Sequence, residues 1–180
     1  MRIFTLIILF GLASDFLSSQ ELFRGENLLV NPPNNSKYKG YHKENGGLKS
    51  TTWISNEHGS KDTFTVNILS GNRLDLERFR DIQDKSGKEA CSEFSSLDIN
   101  DSERNGYKSL FWETTCTLND TQIQIIQLAL LGRNSLYHAR KLWRIPVEPD
   151  IYSRWQKEME KISVCDTRWN RKKKHPCPDL

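Results

Sequence analysis

The stretch Thr121–Pro146, TQIQIIQLALLGRNSLYHARKLWRIP, decides the fold. One reading caps a helix at Asp120 and stops it at Gly132. The other places two strands either side of a turn at Gly132-Arg133-Asn134. The β-branched Ile123, Ile125 and Ile126 favour strand, and Gly-Arg-Asn suits a hairpin. Gln122 and Gln124 alternate with Ile123 and Ile125, and the phase then flips at Ile126. A β-bulge at that point would account for the flip. We read a hairpin, and with it an antiparallel sheet.

Upstream, Tyr107–Thr117 reads as another strand, with Leu110 and Trp112 alternating against Phe111. Asp101–Gly106 is a turn cluster, and Leu97–Asn100 an edge of strand. Before these, Leu76, Phe79 and Ile82 recur at helical spacing among charges, which predicts a helix over about 73–90. Asn72 is its candidate N-cap, and Gly87 weakens its last third. Phe64, Val66 and Ile68 alternate with Thr65 and Asn67 as in a half-buried strand. Leu48–Ser55, Lys37–His42 and Leu28–Val30 supply shorter strands, with a turn at Gly46-Gly47. Downstream, Ile151, Trp155, Met159 and Ile162 form an apolar stripe on a helix over about 149–163, with Asp150 as candidate cap. The order strands, helix, strands, helix gives an α+β fold: a mainly antiparallel sheet with two packed helices.

Residues 1–19 carry Arg2, an apolar run from Ile3 to Ala13, and small residues ahead of Gln20. That is the three-part pattern of a secretory leader, and the run is too short to span a bilayer. Residues 20–164 form a single domain, and no second apolar stretch is long enough to cross a membrane. The four cysteines, Cys91, Cys116, Cys165 and Cys177, are an even set in a chain read as exported. Three pairings are open; Cys91–Cys116 and Cys165–Cys177 are favoured because each closes a local segment. The second would staple the tail, residues 165–180.

The net charge of +3 resides in that tail, where Arg168, Arg171, Lys172, Lys173 and Lys174 outnumber Asp166 and Asp179. Together with Arg140, Lys141 and Arg144, which flank Trp143, these cations are candidates for an anion-binding face. Such a face suits an envelope protein or an anionic surface. Export argues against nucleic acid. Cys165, His175 and Cys177 lack the close ligand pairs of a zinc site, so no metal or cofactor is expected. His58, beside Glu57, and His138 are the only histidines that suggest a hydrolase. No recognised nucleophile motif accompanies either of them, and no catalytic residue is assigned.

The segments NGYKSLFWETTC, LLGRNSLYHARKLWRIP and ISVCDTR resemble those of a family of small exported proteins of Gram-negative bacteria. The likeness covers about the second half of the chain. It implies export and an α+β domain, and transfers no catalytic residue. The element order is also similar, by analogy only, to the PsbP/Mog1-type α/β/α sandwich. The expectation is therefore a periplasmic or secreted, non-enzymatic binding or accessory protein. The alternatives are a small secreted hydrolase using His58 or His138, and a component of a secretion or surface assembly.

Overall fold

A computed structural model of the chain describes residues 22–34, 36–71, 74–168 and 175–178. The expected leader, the expected cap Asn72 and the cations Arg171–Lys174 lie outside them.

Seven antiparallel strands form one sheet. Three come first: β2 (Tyr38–Asn45), β3 (Leu48–Ser55) and β4 (Gly59–Ser70). Helix α1 (Leu76–Ala90) then leads to β5 (Glu93–Arg104), β6 (Tyr107–Leu118), β7 (Thr121–Leu131) and β8 (Ser135–Trp143). The spatial order is β2-β3-β4-β8-β7-β6-β5, so β4 and β8 join two meanders at the centre of the sheet. Helix α2 (Pro149–Lys161) follows β8. The short β9 (Ser163–Asp166) pairs with β1 (Glu26–Leu29) in a separate two-stranded ribbon. The chain is thus α+β and mainly antiparallel. No helix among the described residues is long and apolar enough to cross a membrane.

The helices take opposite faces. Leu76 and Phe79 of α1 pack with Leu110, Trp112, Ala129 and Leu136. On the other face, Met159 of α2 and Ile162 just after it pack with Phe64, Phe111, Ile126, Leu128 and Trp143. This explains the phase flip at Ile126. The ladders from β6 to β7 and from β7 to β8 run unbroken past it, so no bulge forms there. Strand β7 is apolar on both faces because a helix covers each, and sequence alternation weakens in such a strand. The register shifts fall elsewhere, at Ile54/Ser55 and Asp98/Asn100.

Other boundaries move for local reasons. Strand β5 runs on to Arg104, through most of the expected turn cluster, because Asn105 and Gly106, both at positive φ, make the whole turn. Helix α1 is capped by Asp75, whose carboxylate accepts from Arg78 N at 2.7 Å. It does not break at Gly87, and a Cβ there would come within 2.5 Å of the Phe94 ring, so glycine lets β5 pack closely. Glu148 stands at the start of α2, with Pro149 in the first turn, and Asp150 lies inside the helix. Both favoured disulfides are present. Cys91–Cys116 ties the end of α1 to β6, and Cys165–Cys177 ties the tail to β9.

Candidate functional site

Strand β8 carries Arg140 and Lys141 side by side, and the pleat sends them to opposite faces. Lys141 shares its face with Tyr137, Ala139 and Trp143, all of them core residues. It is fully buried. Its ammonium pairs with the Asp62 carboxylate and donates to the Tyr38 hydroxyl oxygen at 3.0 Å. That hydroxyl donates in turn to Asp62 Oδ2 at 3.0 Å, closing a three-member ring of contacts. The ammonium also lies 4.2 Å from the Trp155 ring centroid, 4.8 Å from Tyr38 and 5.2 Å from Trp143. Burial pushes the Lys141 amine down to about 8, with Asp62 opposing the shift. Burial, reinforced by Asp62, pushes the Tyr38 phenol well above its usual range.

Tyr38, Asp62 and Trp155 also wall a cleft of about 580 Å³. Its other sides are residues 31–34, Ser36 and Lys37, the β3–β4 turn and the exposed flank of α2. Ser55 Oγ accepts from the backbone N–H of Glu57 and His58, at 3.3 and 3.1 Å, and so fixes that turn. His58 stands on the rim, 3.6 Å from the Glu57 carboxylate. A second recess of about 480 Å³, floored by Val30, Trp53 and Ile162, adjoins it through Asn31 and Pro32.

His138 lies on the opposite face. It is fully enclosed between Phe79 and Trp112, at 5.0 and 6.0 Å between ring centroids. Asn67 Nδ2 donates to Nδ1 at 3.4 Å, and Nε2–H donates to Gln127 Oε1 at 3.2 Å. Gln127 donates onward to Thr114 at 3.3 Å, and Thr114 to Asp84 at 3.2 Å. Burial, with Arg140 adding to it, pushes the imidazole down to about 3. His138 is therefore a neutral link in a buried polar chain under α1, remote from the cleft that holds His58.

The described residues of the tail are anchored to the domain. Arg168 grips the fully buried Asp166, donating from Nη2 at 2.6 Å and from Nε at 2.9 Å. Hydrogen bonding from Arg168 holds the Asp166 carboxyl below its usual range. His175 stacks on Tyr107 at 4.1 Å, with Nδ1 donating to the Asn105 carbonyl at 2.8 Å. The sulfurs of Cys165 and Cys177 are bonded to each other. The expected cationic face is thus divided. Lys141 is in the core, Arg140 on the α1 side, Arg144 exposed at the end of β8, and Arg168 engaged with Asp166. The cluster that sequence reasoning missed is Tyr38–Asp62–Lys141–Trp155. Its signal was a lysine in phase with Tyr137, Ala139 and Trp143, which calls for a buried acid.

No family model matches the chain, and no curated protein matches it. Among solved structures it is similar to the Pseudomonas aeruginosa protein of unknown function PA94, described as a candidate regulator. The identity is 11%, the TM-score is 0.43, and the match covers 81% of this chain and 86% of that one. So loose an overlap transfers neither a topology nor a role.

Proposed function

We propose that the protein is an exported, non-enzymatic binding protein, periplasmic or secreted, whose ligand occupies the cleft walled by Tyr38, Asp62 and Trp155. Its two disulfides suit an oxidising compartment outside the cytoplasm. The observation that carries the binding role is the wall itself. Lys141 neutralises Asp62 from beneath and holds Tyr38 and Trp155 in place, so the wall is rigid without carrying net charge. The remaining charges around the cleft balance: Lys37 and Arg154 face Glu57 and Glu158. Asn31, Asn34 and Asn56 add neutral hydrogen-bonding groups beside an indole. A neutral polar ligand with one apolar face, the chemistry of a saccharide, fits such a surface.

Calorimetric titration of the mature protein with a panel of neutral oligosaccharides tests this reading. Saturable binding, weakened about tenfold or more by Asn56→Trp at the rim, is the expected result. Binding unaffected by that obstruction would place the ligand elsewhere. Turnover of a ligand that His58→Ala abolishes would replace the binding role by the hydrolase alternative.

A further inference from the structure

One row of side chains crosses the whole sheet on the α1 side. In register it runs Tyr41, Thr52, Thr65, Arg140, Gln127, Trp112 and Asp98. Helix α1 packs on β5, β6 and β7, over the far end of this row. The near end lies on β2, β3 and β4, where Tyr41 is half exposed.

Arg140 stands at the boundary. Its Nε is buried without an acceptor. Among the described residues no side chain or carbonyl forms a hydrogen bond or ion pair with its guanidinium, and the charge that bears on it is the like-charged Arg144. The other half-buried arginines are satisfied. Arg80 pairs with Asp84 and Asp98. Arg104 donates to the carbonyls of Met159, Glu160 and Ile162. A guanidinium N–H drawn out of water without an acceptor is costly, and native structures rarely leave one so.

The surroundings point the same way. The positions on this face of β2, β3, β4 and β8 are Lys39, Tyr41, Lys43 and Asn45; Leu48, Ser50, Thr52 and Ile54; Thr63, Thr65, Asn67 and Leu69; and Leu136, His138, Arg140 and Leu142. Three are lysine or arginine and none is acidic; the acids of these strands, Glu44 and Asp62, fall on the other face. Directly opposite Arg140 stands Thr65, whose hydroxyl is 3.1 Å from that of Thr52. Either hydroxyl can rotate to donate outward.

We propose that this face binds a small oxyanion, with the Arg140 guanidinium as its principal contact and the Thr65 hydroxyl, itself accepting from Thr52, as a supporting donor. A planar fork of N–H donors matches a carboxylate, a phosphate or a sulfate alike. The site lies across the sheet from the cleft proposed above and does not depend on it.

The test follows the Arg140 Nε–H resonance by NMR while the mature protein is titrated with inorganic phosphate, sulfate and acetate in separate arms. The expected result is a saturable shift with at least one anion, and the arm that gives the tightest binding identifies the oxyanion class. Affinity is expected to fall at least tenfold in Arg140→Leu, read by calorimetry, and to fall severalfold in Thr65→Val, which keeps the shape and removes the hydroxyl. It is expected to persist when Arg171, Lys172, Lys173 and Lys174 are all replaced by Gln. The proposal is overturned if no arm saturates, if the tail substitutions abolish binding, or if Thr65→Val and Arg140→Leu both bind as the parent does. Should Arg140→Leu fail to fold, an unchanged affinity in Thr65→Val alone overturns it.

Discussion

Asp62→Asn should be strongly destabilising. It leaves the Lys141 ammonium, wholly out of water, with a phenol oxygen and three aromatic rings. Removing one member of a buried ion pair costs about 3–5 kcal/mol, and the total stability of a domain this size is on the order of 5–15 kcal/mol. The Tyr38 oxygen and the three rings still contact the ammonium in the variant, so a loss near the lower end, about 3 kcal/mol, is expected. Lys141→Met should cost less, because the orphaned Asp62 borders the cleft and can take water. The double variant Asp62→Leu/Lys141→Met should return to within about 1 kcal/mol of the parent, since it removes both charges together. Urea denaturation without reductant measures all three. A pH series adds an independent check. The Lys141 amine titrates near 8 when folded and at its ordinary 10.5 when unfolded, so between those values the unfolded chain holds more protons. Stability should therefore climb as pH rises from about 8, at a slope that Lys141→Met abolishes. Above about 10 the trend should reverse, as unfolded tyrosines ionise while Tyr38, Tyr107, Tyr137 and Tyr152 stay protonated. A loss below about 1 kcal/mol in Asp62→Asn, or the same alkaline slope in Lys141→Met, would refute the buried-pair account.

Three further outcomes are expected. His138 is neutral and buried, with its proton affinity lowered to about 3 against 6.5 when unfolded; stability should fall as pH drops from 6.5 toward 3, by up to about 1.4 kcal/mol per pH unit. Calorimetric melting of His138→Gln over that range should show a shallower dependence. Gly132→Ala should lose about 1–3 kcal/mol, because the new Cβ would sit 2.8 Å from the Ser135 carbonyl and 2.7 Å from the Tyr137 ring; an unchanged urea midpoint would show that the turn can yield. Replacing Cys165 and Cys177 by Ser should lower stability by about 3 kcal/mol and speed proteolysis at the tail, where Asp166 N–H bonds to the His175 carbonyl at 3.0 Å.

What the sequence disclosed followed from local signals. The β7–β8 hairpin rests on β-branched residues flanking a Gly-Arg-Asn turn, and α2 on a stripe at helical spacing. Each disulfide closes a short segment, so the pairing could be ranked. The absent bulge at Ile126 was not legible, because burial of β7 on both faces depends on where two helices distant in sequence come to rest. The Lys141 cluster was hidden for a related reason. In a run of basic residues a lysine reads as solvated, and its carboxylate partner is 79 residues away. Strand phase alone marked it: once β8 is a strand, Lys141 must share a face with Trp143, and a cation there needs a counter-charge.

Arg140 and Lys141 set the same physical problem with opposite answers. The Lys141 ammonium and the Arg140 Nε are both drawn from water by β8, yet only Lys141 meets an acid. The register aligns Asp62 with Trp143, close enough to reach Lys141, and aligns Thr65 with Arg140. A fold concerned only with stability would place an acid or an amide near position 65, or an apolar residue at 140, where a leucine would remove the unpaired N–H and its charge. Retaining a guanidinium opposite a threonine sacrifices stability unless something outside the chain completes it. The two explanations separate on one measurement. If Arg140 awaits an anion, Arg140→Leu should raise the urea midpoint of the anion-free protein, while adding the bound oxyanion stabilises the parent and leaves the variant unmoved. If the arginine is structural, the leucine should destabilise, and no anion should distinguish the two proteins.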